Sequence, residues 1–396
     1  MLKNYRLIMT FLLTGALFLY IGCDDKKTGD SFKTPEMQRA EKLYEEGRRL
    51  FLTCDPNNYE KALNHFNEAL SINGDYAEAL AASAETISMW QAYRMNEAAF
   101  ENAMHRAQRA TRLAPELDMG YRAAADIYRH HRNPQTGDVD TDYALDMIER
   151  AIDINPRSAE NMYVQGSIYL TRDPMKAIEI LEKAKKMNPD LGKVYFNLAS
   201  AHQMIADRIY IQKQKMKGAG QEVSPDMEED MTTHYSAAEK NYNTYQALVP
   251  GDLGGYCALG IAYLHQDKTQ KAEEMFKKTV SLNPNPDPSQ FKWMNKAYYH
   301  LASMAQRSGN LEDAYIYNKS ALDKSPGRPD FIAQQLGICR ELGRTECVKK
   351  NEDKLEEMKK KQEEFLKKKA EAEKQNTEGG GTVEGFAPLE EETQPK

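Results

Sequence analysis

Residues 256–284 contain Tyr256-Cys257-Ala258-Leu259-Gly260-Ile261-Ala262-Tyr263 and then, at wider intervals, Ala272, Phe276, Thr279 and Pro284. The second half of this stretch is a spacing rule. A small residue is followed four places on by a bulky one, three further by a small one, and five after that by Pro or Gly. The same spacing recurs at Ala62-Phe66-Ala69-Gly74, Ala103-Ala107-Ala110-Pro115, Ala144-Ile148-Ala151-Pro156, Ala177-Leu181-Ala184-Pro189, Ala238-Tyr242-Tyr245-Pro250 and Ala314-Asn318-Ala321-Pro326. Copies with an invariant internal spacing mark a repeat array. Steps of four and three put these side chains on one helical face. Small residues let that helix lie close against the one before it, the bulky residue fills the space beside them, and the Pro ends the helix.

The segment before each copy supplies a partner helix. It carries Tyr256, Leu259, Gly260 and Tyr263 in the sixth unit, Gly166 and Tyr169 in the fourth, and Tyr121, Ala125 and Tyr128 in the third. The fifth offers Tyr195, Leu198 and Ala199, the first Gly47 and Leu50, the seventh Tyr298, Leu301 and Ala302. Residues 329–360, opening on Pro329 with Gly343 in the turn, read as a degenerate eighth unit. Helix pairs with these aromatic, Leu-Gly and Tyr positions resemble the tetratricopeptide repeat. The resemblance covers residues 36–360 and implies an all-α fold: a right-handed superhelical solenoid of about eight helix-turn-helix repeats. A charged capping helix over 361–376 and an acidic tail over 377–396, read as disordered, follow it.

Departures from a fixed period locate the irregular parts. Successive terminal Gly or Pro residues stand 41, 41, 33, 61, 34 and 42 positions apart. The 41-residue units need either longer helices or loops bulging over 89–96 and 133–142, and the Asn-Pro-Gln-Thr-Gly-Asp of the second reads as a true loop. The 61-residue unit carries an insertion near 208–233. It is basic at Arg208, Lys213, Lys215 and Lys217, turns at Gly218-Ala219-Gly220, and is then acidic at Asp226, Glu228, Glu229 and Asp230. It reads as a projection that either binds a partner or closes on its own charge complement.

At the start of the chain, Lys3 and Arg6 precede an apolar run over 7–21, too short for a comfortable membrane span. The run ends Leu19-Tyr20-Ile21-Gly22-Cys23, which resembles the lipobox of bacterial lipoproteins. That resemblance implies a signal peptide over 1–22, lipidation of Cys23 and a polar tether over 23–35. The chain is then a lipid-anchored protein of the cell envelope, facing the periplasm or the cell surface.

In the tetratricopeptide family the first helices line a concave groove where partner peptides lie. The positions that carry it map here to Tyr44 and Arg48, to Arg122, Asp126 and Arg129, and to Tyr163 and Ser167. They continue with Lys193, Phe196, Ser200 and Gln203, then Tyr299 and Ser303. The resemblance implies a peptide-binding surface at these residues, unless they only cover the inside of the superhelix. The family's paired Lys/Asn clamp for a terminal carboxylate is not reproduced, since Lys193 and Asn197 stand at other positions. Cys339 and Cys347 are equidistant from Gly343 and so face each other on antiparallel helices. They form a disulfide or are two small buried residues. Cys54 and Cys257 have no evident partner. His130 and His131 adjoin a loop and read as a surface pair, not a metal site.

The 396 residues are 41% hydrophobic and 29% charged, with a net charge of −7, which permits a core and offers no reason to expect nucleic acid. No CxxC, HExxH, nucleotide loop or nucleophile elbow occurs. The expectation is therefore a scaffold with no catalytic role, cofactor or metal, anchored to a membrane and binding envelope proteins or peptides. The alternative is a ligand-binding accessory lipoprotein of a transporter, which requires a closed superhelix with a cavity.

Overall fold

A computed structural model of the protein describes residues 33–92, 95–134 and 137–378. The predicted signal peptide and Cys23 lie outside the described residues, as does the tail from residue 379. Among the described residues the chain is all-helical, with sixteen α-helices in eight antiparallel pairs. They are α1 (Pro35–Leu52) with α2 (Tyr59–Ile72), α3 (Ala77–Trp90) with α4 (Glu97–Leu113), and α5 (Asp118–Tyr128) with α6 (Thr141–Ile154). Next come α7 (Ala159–Tyr169) with α8 (Pro174–Met187), α9 (Gly192–Gly218) with α10 (Pro225–Leu248), and α11 (Leu253–His265) with α12 (Thr269–Leu282). Finally α13 (Phe291–Arg307) pairs with α14 (Leu311–Lys324), and α15 (Pro329–Glu341) with α16 (Thr345–Glu378).

The repeated residues do what their spacing requires. All of the small and bulky side chains in the seven copies are buried, none more than 3% exposed. Each second helix stops two residues before its terminal Gly or Pro, as α4 does at Leu113 before Pro115 and α12 at Leu282 before Pro284. The residue between leaves the helical region: Ala114 sits at φ −141°, ψ 77° and Asn283 at φ −145°, ψ 99°. The ring of a following Pro clashes with a helical backbone there and drives this exit.

Glycine sets the separation within three pairs. A Cβ on Gly47 would lie 2.6 Å from the Phe66 ring, one on Gly166 2.6 Å from Leu181, and one on Gly260 2.7 Å from the Phe276 ring. In each case the neighbour is the bulky member of the same repeat, so glycine and bulky residue are two halves of one contact. Where the first helix must be covered on all sides, small residues replace this device. Between Ala77 and Ser88 of α3 only Glu78 is not buried, since α1, α2, α4 and α5 all pack on this helix.

The long units resolve by two routes. The connection from α5 to α6 is a true loop, closed by Gly137 N–H to Asn133 O and Asn133 N–H to Asp138 O, both 2.8 Å. The α3–α4 unit spends part of its excess on α4, which has 17 residues against 14 in α2. The insertion near 208–233 is not a separate element. It extends α9 to 27 residues and α10 to 24, so one helical hairpin projects beyond its neighbours. Lys213 pairs with Glu228 across it at 2.8 Å, the charge complement the sequence suggested. The charged stretch 361–376 likewise continues α16 without a break. Cys339 and Cys347 are joined across the α15–α16 turn, with Cα atoms 5.9 Å apart, while Cys54 and Cys257 are buried free thiols.

The solenoid coils back upon itself. Arg48 of α1 reaches Glu160 of α7 at 2.8 Å. The Trp90 indole N–H donates to Asp287 at 3.1 Å, and Gln290 Nε2 donates to Asn57 Oδ1 at 3.2 Å. A Cβ on Gly251 would lie 2.7 Å from Asp55. The turn after α1 thus rests against the turn before α11 and the 3-10 turn Pro288–Gln290 before α13, closing one round of the coil.

Candidate functional site

The closed coil has an inside, and most of the predicted groove residues fill it. Arg122, Asp126, Tyr163, Ser167, Lys193 and Gln203 are all buried. Most of their polar atoms are engaged with neighbouring side chains of the same interior. Arg122 forms a short charge-assisted bond with Glu85, contacts Glu160 at 3.2 Å and Asp118 at 3.6 Å, and donates to Asn161 Oδ1 at 3.2 Å. Arg48 bridges the same two glutamates, at 3.4 Å to Glu85 and 2.8 Å to Glu160. Arg129 pairs with Asp126 at 2.7 Å and lies over the Tyr163 ring. Lys193 stands over Phe51 and Tyr59, 4.7 and 5.0 Å from their centroids. Four cations and four carboxylates therefore share one interior, where unpaired charge would be costly. Burial opposes ionisation of Glu160 and Asp126, yet Arg122 and Arg48 hold the first near 2, and Arg129 and His130 the second near 2.

The remaining groove positions also turn inward. The Tyr44 hydroxyl meets Met119 Sδ at 3.7 Å, and burial pushes its pKa up to about 12. Phe196 packs edge-on against Tyr242, Tyr245 and Trp293. Ser200 donates to Phe196 O at 2.9 Å, and Gln203 accepts from the Tyr242 hydroxyl at 2.8 Å. Tyr299 and Ser303 sit apart from this group, both bonded by Gln334 of α15. The structure thus brings eleven of the thirteen positions into one interior and leaves two further along the coil.

The reading of His130 and His131 as a surface pair is corrected. Their side chains are 11% and 12% exposed. His131 stacks on Phe100 at 3.7 Å and contacts Glu97 at 3.1 Å. His130 faces inward, 3.0 Å from Ser88 Oγ and 3.7 Å from Asp126. Burial first, then Arg129, depress its pKa to about 3. No group of His, Cys, Asp and Glu suited to a metal ion occurs among the described residues.

What the coil leaves empty is graded in size. Beside Glu85, Arg122 and Lys193 there is a space of about 30 Å³. Next to it, bounded by Tyr59, Lys193 and Trp293, is one of about 120 Å³. That in turn shares Ala92, Arg129, His130 and Ser289 with a chamber of about 610 Å³. The chamber lies between the loops after α3 and α5 on one side and α13 with the start of α15 on the other. Its walls carry Arg129, Arg132, Lys292, Lys296 and Arg328 together with His130 and, among the described residues, no carboxylate. In a chain of net charge −7 this is a sharp local reversal. Sequence reasoning missed it, because its cations come from two helix pairs distant in sequence and from the turn before α15. The one local signal was Lys292 and Lys296, four apart on a helix and both over the Trp293 ring, at 5.1 and 5.6 Å.

Comparison with known proteins bears on the helical solenoid that carries these residues. Residues 253–286 match the tetratricopeptide repeat family model, which is the α11–α12 pair. No curated protein matches the sequence. Among solved structures, an IFIT1 monomeric mutant with Gppp-AAAA is similar over 81% of this chain and 71% of its own, at 16% identity and TM-score 0.59. The human IFIT1 dimer with m7Gppp-AAAA is similar over 80% and 71%, at 16% identity and TM-score 0.58. A tetratricopeptide protein of Thermus thermophilus matches 57% of this chain and 99% of its own, at 20% identity and TM-score 0.40. The α11–α12 pair is thus a tetratricopeptide repeat, set in a solenoid of eight helix pairs that closes on itself.

Proposed function

We propose that this protein is a lipid-anchored scaffold of a bacterial cell envelope that binds other proteins through its tetratricopeptide solenoid. The observation that carries the reading is the architecture itself: eight stacked helix pairs, one matching the repeat model, and a projecting α9–α10 hairpin. Stacked repeats expose long continuous surfaces suited to protein partners. With the inside filled, those surfaces are the outer ridges and the hairpin, where Ile211 is 53% exposed. The anchor rests on the basic start, apolar run and Gly22-Cys23 junction.

Cross-linking in intact cells, followed by purification and mass spectrometry, tests the scaffold. One or two dominant envelope proteins linked near the hairpin are expected, and no reproducible protein partner would count against it. The Cys23→Ala variant should leave the membrane fraction, and unchanged fractionation would remove the anchor from the reading.

A second reading, a ligand-binding accessory of a transporter, is favoured by one observation. The superhelix closes and holds a chamber of about 610 Å³, within the range of small-molecule sites.

A further inference from the structure

We propose that the basic chamber at the closing side of the coil binds a small polyphosphate-bearing anion. The inference rests on the ligand-binding reading and adds the chemistry of the ligand. Arg132, Lys292, Lys296 and Arg328, the last already paired with Asp330 at 2.6 Å, converge on the chamber from the α5–α6 loop, from α13 and from the turn before α15, and no carboxylate among the described residues lines its walls. Cations do not gather this way for stability, since each raises the cost of the next. Lys292 registers that cost: burial, then Lys296, depress its pKa from the usual lysine value to about 8, with smaller contributions from Arg328 and Arg132. A multiply charged anion in the chamber relieves the repulsion at a stroke.

Two further groups lie in the same walls. Ser289 Oγ and Asn295 Oδ1 are buried polar atoms with no hydrogen-bond partner. Asn295 is 3% exposed, and its amide nitrogen is already used on Ser325 Oγ at 2.6 Å. Its orphan oxygen is an acceptor, suited to a hydroxyl or protonated oxygen of a ligand. The guanidinium groups match phosphate in a two-pronged geometry, whereas the lysines act as point charges. A chain of phosphates concentrates several negative charges in a volume this chamber holds, which a single carboxylate does not.

Calorimetric titration of the full chain with tripolyphosphate, ATP and citrate, at matched ionic strength, tests the assignment. Tripolyphosphate is expected to bind and to raise the melting temperature. The variant K292Q/K296Q should weaken it at least tenfold, while K359Q/K361Q on the exposed part of α16, with the same loss of charge, should not. Tighter binding of ATP than of tripolyphosphate supports a nucleotide source, and equal binding supports phosphate recognition alone. Citrate binding as tightly as tripolyphosphate overturns the phosphate assignment and leaves the ligand-binding reading standing. Binding of an uncharged metabolite in a small-molecule thermal-shift screen, with no anion bound, does the same. Failure of every probe overturns both. Should K292Q/K296Q not fold, Arg132→Gln serves in its place, because its side chain lies on a loop.

Discussion

Arg122 is the residue on which the interior turns. It is 3% exposed and contacts Glu85, Glu160 and Asp118 together. Removing it leaves Asp118 without its cation and Glu85 and Glu160 sharing Arg48 alone, so Arg122→Ala should destabilise the protein by about 3–5 kcal/mol in chemical denaturation. Adding Glu85→Gln should recover part of that loss; a double variant as unstable as the sum of the singles would show that the pair is not coupled. His130 gives a pH signature. Its folded pKa lies near 3 against an unfolded value of 6.5, so the buried ring stays neutral while the unfolded ring charges. Its contribution is fully present above pH 6.5 and is lost as the pH falls below that value toward 3. Denaturation midpoints should drop between pH 7 and pH 5.5, costing about 1 kcal/mol from this ring, before most carboxylates titrate. His130→Asn should flatten that part of the profile, and an unchanged slope would assign the effect elsewhere. Neither residue's role was legible in the sequence. Arg122 was visible as an inward position, but its partners Glu85 and Glu160 lie 37 and 38 residues away on either side. Burial of His130 depends on the coil's closing beside it.

At the scale of the element, the sequence was most informative. The small and bulky positions act within one helix pair, through spacings of three and four, and so appear as periodicity. The terminal Pro of six copies acts on the residue before it and fixes those helix ends locally. The glycine–aromatic contact of the sixth pair tests this level. Gly260→Val should force the Phe276 ring aside and cost about 1–3 kcal/mol. A wild-type melting temperature would show that α11 and α12 do not meet in this register. What the sequence left open at this scale was length. The insertion near 208–233 reads as a discontinuity because its composition changes, yet backbone hydrogen bonds run through α9 and α10 as though nothing had been added. Composition reports the solvent around a helix, not where the helix ends.

For the whole molecule, closure was the feature hidden from the sequence. Asn57 and Gln290 are 233 positions apart, Trp90 and Asp287 are 197 apart, and no periodicity links either pair. The basic chamber follows from closure and was hidden with it. The Arg48→Ala and Trp90→Phe double variant removes two of the tie points. Its solution scattering should give a larger radius of gyration than the parent, and an unchanged radius would show that the coil stays shut without them.

An ordinary stack of helix pairs can be completed unit by unit, each resting on the one before. This one cannot, because its first turn is finished only by residues that leave the ribosome more than two hundred positions later. Until residue 290 follows residue 57, the bonds that close the round, Gln290 to Asn57 and Trp90 to Asp287, cannot form. The final fastening therefore has a place in time: it waits for the turn before α13, long after the residues it fastens.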